Sequence, residues 1–121
     1  MDLDQLKSRL RQFTDERDWD QFHSPKNLVM ALSVEVGELV EHFQWLSEDA
    51  SACLPDATRR EVAEEIADVQ IYLVRLADKL GIDIIQAAEA KIQATMQKYP
   101  TSRVKGSSKK YTHYDGTETA E

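Results

Sequence analysis

Several things are scarce in this sequence, and each scarcity excludes a class of protein. There is one cysteine, Cys53, so no disulfide can close within the chain. That usage fits a reducing compartment, and the cytoplasm is the expected location. No apolar run approaches the ~20 residues that a membrane-spanning helix needs. The stretch Met1-Asp2-Leu3-Asp4-Gln5 lacks the basic flank and apolar segment of a signal peptide. Glycine is limited to four scattered residues, which leaves no glycine loop to cradle a phosphate. Positive charge is also short. A net charge of −7 provides no basic footprint for nucleic acid, so neither nucleic acid nor membrane is expected as a partner. Cys53 has no histidine beside it in sequence, and no other nucleophile is evident.

What remains is helical. A length of 121 residues is enough for one domain with a core. Leu3, Leu6, Leu10 and Phe13 recur at helical spacing within a segment of roughly Asp2 to Asp18. Trp19 to His23 is a connector. Ser24-Pro25, a cap residue before proline, opens a second helix that should run to about Leu46. Ser47 to Pro55 reads as a loop. Thr58-Arg59-Arg60-Glu61 has the form of a capping box for a third helix, with Pro55 and Asp56 as competing starts. Gly81 should stop that helix. Asp83-Ile84-Ile85-Gln86 opens a fourth, which ends before Pro100. The expectation is an all-α four-helix bundle with antiparallel neighbours, a single domain over 1–112, and a polar, irregular tail over 113–121.

Two acidic clusters stand inside these core-type helices, Glu35-Val36-Gly37-Glu38 and Glu64-Glu65-Ile66-Ala67-Asp68. With about 100° of rotation per residue, helix two places Leu28, Leu32, Val36, Leu39, Phe43 and Leu46 on one arc. Glu35, Glu38 and His42 border it. Helix three places Val62, Ile66, Val69, Leu73, Leu76 and Leu80 on its arc, bordered by Glu65, Asp68 and Tyr72, with Glu61 one turn earlier. Glu64 and Arg75 should point to solvent, and Glu61, Glu64 and Asp78 should form surface salt pairs. Ile71 and Val74 fall on the back of helix three, where they suit a contact with another subunit.

Unpaired buried carboxylates are costly. Four of them converging would repel unless a cation sat among them, and oxygen-only donors suit Mg²⁺ or Mn²⁺. Carboxylates three residues apart occupy adjacent turns of one face, so each pair can reach one ion or a close pair of ions. A di-iron site would need Glu-x-x-His pairs. Helix three has no histidine, and His42 follows Glu38 by four residues. From Lys91 to Lys110 every charged residue is basic. That arm could assist a metal in holding a polyanion, or it could be a solvated tail.

The residues also resemble a known family. Glu35-x-x-Glu38 followed by Glu65-x-x-Asp68, set among Glu16-Arg17-Asp18-Trp19, Gln21-Phe22-His23, Asn27-Leu28, Phe43-Gln44-Trp45, Ile71-Tyr72-Leu73, Lys98-Tyr99-Pro100 and Ser107-Ser108-Lys109-Lys110-Tyr111-Thr112, is similar to the MazG-like all-α nucleoside triphosphate pyrophosphohydrolases, nearest their dCTP pyrophosphatase branch. The resemblance runs from about Leu10 to Thr112. It implies Mg²⁺-dependent hydrolysis of a nucleoside triphosphate to monophosphate and pyrophosphate, with Glu35, Glu38, Glu65 and Asp68 as the metal-binding and catalytic set. It implies that Trp19 and Trp45 flank a pyrimidine base near Tyr72, with His23 and Asn27 also on the substrate side. Lys91, Lys98, Lys109 and Tyr111 would serve the phosphate end. Members assemble as dimers or as dimers of dimers, so a homotetramer is among the expectations. The sequence departs from some members at Thr95, where they carry asparagine, and at Leu10, where they carry histidine.

Overall fold

A computed structural model describes residues 1–108 as helices joined by short turns, with no strand among them. The tail at 113–121, Lys109 and Tyr111 lie outside the described residues. The helices are α1 (Leu3–Glu16), α2 (Pro25–Glu41), α3 (Glu48–Ser51), α4 (Asp56–Leu80), α5 (Ile84–Lys98) and α6 (Thr101–Val104), with a 3₁₀ turn at Asp20–Phe22. Two compact units are present, one over Met1–Ile82 and one that begins at Asp83.

In the first unit, Asp2 and Gln5 cap α1 reciprocally, each side chain accepting the other's backbone N–H at 2.8 Å. The helix stops at Glu16 rather than running to Asp18. Asp18 takes a left-handed conformation, φ 55°, and the Trp19 N–H turns back to the Thr14 carbonyl at 2.9 Å. Ser24 caps α2 by accepting from the Asn27 N–H, and Pro25 fills the first helical position, where no N–H is needed. This helix also ends early, at Glu41 instead of near Leu46. The Phe43 and Gln44 amides both donate to the Val40 carbonyl, and the chain leaves through turns. α3 is one short turn inside the expected loop.

For α4 the earlier start wins. Pro55 caps the helix and its carbonyl accepts from Arg59 N–H, so the Thr58–Glu61 pattern lies inside the first turns. Gly81, at φ 67°, closes it: the Ile82 N–H reaches the Ala77 carbonyl at 2.8 Å and the Gly81 N–H reaches Asp78. This Schellman geometry favours the residue without a Cβ. In the second unit Asp83 caps α5 by accepting from the Gln86 N–H at 3.0 Å, and Pro100 opens α6.

α2 packs on α4, and α1 covers the C-terminal part of α4. The buried apolar residues are Leu28, Val62, Val74 and Ala77. The projected arcs are therefore only partly buried. Leu28 and Val62 are inside, but Val36, Leu46, Ile66, Leu73 and Leu80 are exposed. Conversely Val74, expected on an outer face, is 2% exposed, and Arg75, expected in solvent, is 3% exposed. One cause explains both reversals. A single-arc projection assumes one covering neighbour, whereas α1 and the Trp19–His23 connector also cover the last turns of α4. Val74 is thus removed from any subunit contact, while Ile71 is half-buried.

Candidate metal centre

α2 and α4 run antiparallel: His42 lies beside Glu61 and Glu65, whereas Glu35, further back on α2, feels both Glu65 and Asp68. The Glu-x-x-Glu and Glu-x-x-Asp pairs therefore face each other. Glu35, Glu38 and Glu65 each place a carboxylate oxygen within 4.8 Å of the other two. Glu38 lies against both Glu35 and Glu65, and its proximity disfavours the ionised form of each. Asp68 is the fourth charge, close enough to disfavour ionisation of Glu35 and Glu65.

The electrostatics follow from this crowding. Desolvation, then the Glu38 contact and the charges of Glu38, Asp68 and Glu65, raise the Glu35 carboxyl to about 7. Glu65 is raised for the same kinds of reason, with His42 acting in the opposite sense. Glu35 Oε2 and Glu65 Oε2 are buried and have no hydrogen-bond partner. Buried acceptors without donors are rare and call for an explanation. A divalent cation among oxygen donors supplies one, and the donor set fits a hard ion.

The cluster continues along the seam. His42 Nδ1 is 3.8 Å from Glu61 Oε2, and its Nε2 is 3.9 Å from Glu65 Oε1. Glu61 thus faces the site's edge instead of a surface arginine. The periodicity had put His42 and Glu61 beside the pairs but gave no reason to join them.

The other named residues lie at various distances from this centre. Trp19 is exposed and stands edge-on to Phe13, ring centroids 5.6 Å apart. His23 is half-buried, its Nδ1 has no partner, and burial followed by the Arg75 charge lowers its pKa. The Asn27 side chain donates to the Phe22 carbonyl at 3.1 Å. Trp45 is 88% exposed in the turn after α2. Tyr72 is half-buried on α4, one turn past Asp68. Lys91 and Lys98 belong to α5 in the second unit.

Sequence reasoning missed the ion network beside the connector. The side chain of Asp78 is 6% exposed, not at the surface, and Arg11 of α1 holds it through two bonds, one of them Nε to Oδ2 at 2.6 Å. Arg75 reaches Asp78 at 3.5 Å and Asp20 at 3.0 Å, and Lys79 donates to the same Asp20 oxygen at 2.9 Å. The charges were visible in sequence, but nothing marked their partners 55 to 67 residues away.

Comparison with known proteins places the chain in a family. The MazG-like family matches residues 30–113, which contain all four acids. The chain is 44% identical over 112 residues to dCTP pyrophosphatase 1 of Mus musculus, covering 91% of this chain and 66% of that protein. It is 39% identical over 121 residues to dCTP pyrophosphatase 1 of Bos taurus, covering 72% of that protein. It thus spans about two thirds of the length of these relatives. A crystal structure of a pyrophosphatase from Archaeoglobus fulgidus matches with a TM-score of 0.76 and 44% identity, over 80% of this chain and 91% of that one. Paired acids facing each other across two antiparallel helices, within a match over most of the chain, make this protein a member of the MazG-like family.

Proposed function

We propose that this protein is a Mg²⁺-dependent nucleoside triphosphate pyrophosphohydrolase. Its substrate would be a deoxypyrimidine triphosphate, dCTP or a modified dCTP, cleaved to the monophosphate and pyrophosphate as part of nucleotide-pool cleansing in the cytoplasm. The observation that carries the proposal is the convergence of Glu35, Glu38 and Glu65, with Asp68 beside them, around buried carboxylate oxygens that lack donors. Relatives named dCTP pyrophosphatase 1 support the choice of substrate.

Glu35, Glu38, Glu65 and Asp68 would hold the cation, with Mn²⁺ as a substitute for Mg²⁺. When bound, it supplies neutralisation of the triphosphate charge and lowers the pKa of water for attack at the α-phosphorus. The protein's own share is positioning. Glu38, flanked by Glu35 and Glu65, sets the spacing between the two helices' carboxylates. His42 steadies Glu65. Trp19 and Trp45 would stack on the base, with Tyr72, His23 and Asn27 near the nucleoside. Lys91, Lys98, Lys109 and Tyr111 would serve the phosphates.

The family match crosses both compact units, which supports treating 1–112 as one functional domain of the four-helix type. Self-association completes the proposal, as a dimer or a dimer of dimers. Ile66, Leu73 and Leu80 are exposed at seven-residue intervals along α4, and Val29 and Val36 repeat the interval on α2. Apolar residues on a heptad spacing suit a partner helix.

Incubation with dCTP and Mg²⁺, followed by separation of the products, tests the function. dCMP with pyrophosphate is expected. dCDP with inorganic phosphate, or no turnover with any divalent cation, overturns the assignment. Binding of dCTP without turnover would identify a non-catalytic nucleotide-binding bundle.

A further inference from the structure

Arg75 is the only charged residue buried outright among the described residues, and the carboxylate cluster does not use it. Taking a guanidinium out of water costs several kcal/mol unless its partners are well placed. Here the partners are Asp20 at 3.0 Å and Asp78 at 3.5 Å, while Nε has none. Asp20 is held twice, since Lys79 donates to the same carboxylate oxygen at 2.9 Å. Asp78 is in turn gripped by Arg11 from α1.

Asp20 immediately follows Trp19. The turn carrying these two residues has local restraints: the left-handed Asp18, the Trp19 N–H on the Thr14 carbonyl, and the Gln21 amide on the Asp18 carbonyl at 2.9 Å. Those bonds shape the turn but do not fix it to α4. Asp20 does so, through two cations one turn apart. The same helix carries Glu65 and Asp68 two to three turns earlier, so the connector is referenced to the helix that supplies half of the metal set.

We propose that Arg75, acting with Lys79 through Asp20, is a positioning residue that sets the Trp19 ring relative to the Glu65–Asp68 edge of α4, and so governs nucleotide affinity rather than the rate of phosphorus chemistry. This rests on the reading of Trp19 as a base-stacking residue. A purely structural network would lower stability and leave the ring's mobility and the balance between KM and kcat unchanged.

The test is Asp20→Asn in the full chain, where the half-exposed Asp20 side chain limits the risk to folding. In a Trp45→Phe background Trp19 is the sole tryptophan, and its fluorescence anisotropy reports the ring directly. Asp20→Asn should lower that anisotropy. In the otherwise unaltered chain it should raise KM for dCTP about tenfold, the scale of one stacking contact. kcat should stay within about twofold, and Mn²⁺ affinity, read by electron paramagnetic resonance, should be unchanged. Asp20→Glu, which keeps the charge, should recover most of both effects. Unchanged anisotropy, or a loss in kcat at constant KM, overturns the inference. If the unaltered protein turns over no nucleotide, the functional reading falls and the anisotropy alone decides this one. If Asp20→Asn fails to fold, Lys79→Met is read by the same criteria.

Discussion

His42 Nε2 lies 3.9 Å from Glu65 Oε1 across the seam between α2 and α4, while Glu38, one turn earlier on α2, contacts Glu65 from the same helix. Glu65 therefore has an imidazole on one side and a carboxyl group on the other. Glu38 is flanked by two carboxyls, and its charge raises the pKa of both.

Replacing Glu38 by Gln should accordingly separate function from stability. We expect kcat to fall by about 100-fold or more, as for loss of a group that binds or orients a metal. Far-ultraviolet circular dichroism should keep its helical form. In EDTA the variant should melt above the unaltered protein, because one repelling charge has gone. Added Mg²⁺ should raise its melting temperature less. Undiminished turnover would remove Glu38 from the site.

The same crowding makes the metal-free protein sensitive to pH. Glu35 titrates near 7 when folded against an ordinary value of 4.5, and Glu65 is shifted upward as well. The folded state therefore binds more protons than the unfolded state in this window, and stability must fall as pH rises from about 4.5 to about 7. Asp20 and Asp78 act in the opposite sense. Asp20 is lowered by its Lys79 bond first and Asp78 by its Arg11 bond first, so their contributions are present above 3.8 and fade as acid protonates them. Urea midpoints in EDTA should be higher at pH 5 than at pH 8. Saturating Mg²⁺ should shrink that difference, since it binds the deprotonated carboxylates and displaces protons. A flat profile in EDTA would contradict the crowding.

Asp78→Ala should be among the most damaging substitutions away from the metal centre. It strands Arg75, whose side chain is 4% exposed, with Asp20 as its remaining carboxylate partner. Breaking a buried pair in this way costs about 3–5 kcal/mol. The surface member of the Lys7–Asp4 pair, 3.8 Å apart, is the control: Asp4→Asn should cost under ~0.5 kcal/mol. Chemical denaturation of both variants checks the contrast.

Sedimentation should return a mass above that of one chain. Leu73 is central in the Ile66–Leu73–Leu80 stripe, and Leu73→Glu should shift the species toward the single chain. A single chain at all concentrations would refute the assembly.

Local chemistry made much of this legible. The Ser24-Pro25 start, the Asp83 cap and the Gly81 stop depend on residues within one turn, and all three are where the sequence put them. The facing of the two acid pairs was also readable, because helical phase alone brings Glu35 to the side of Glu38 and Glu65 to the side of Asp68. Long-range coverage could not be read. Nothing in the spacing of Val74 and Arg75 reveals that α1 and the connector lie over them, and so the inner and outer faces of α4 were partly exchanged. The ends of α1 and α2 were overextended for a related reason. Asp18 and the turn at Val40 are set by backbone bonds that hydrophobic periodicity does not register.

The antiparallel seam has a consequence for how the centre comes into being. Glu38 and Glu65 are separated by the exit turns of α2, all of α3 and the first turns of α4, so no single helix contains a complete ligand set. Closing that loop carries an entropic cost that grows only slowly with its length, but it must be met before any ion can be gripped. A nascent chain halted at α3 holds half a coordination sphere. Affinity for the cation is then a reporter of tertiary closure, and at an ion concentration 100 times its dissociation constant the folded chain gains about 2.7 kcal/mol over the unfolded one.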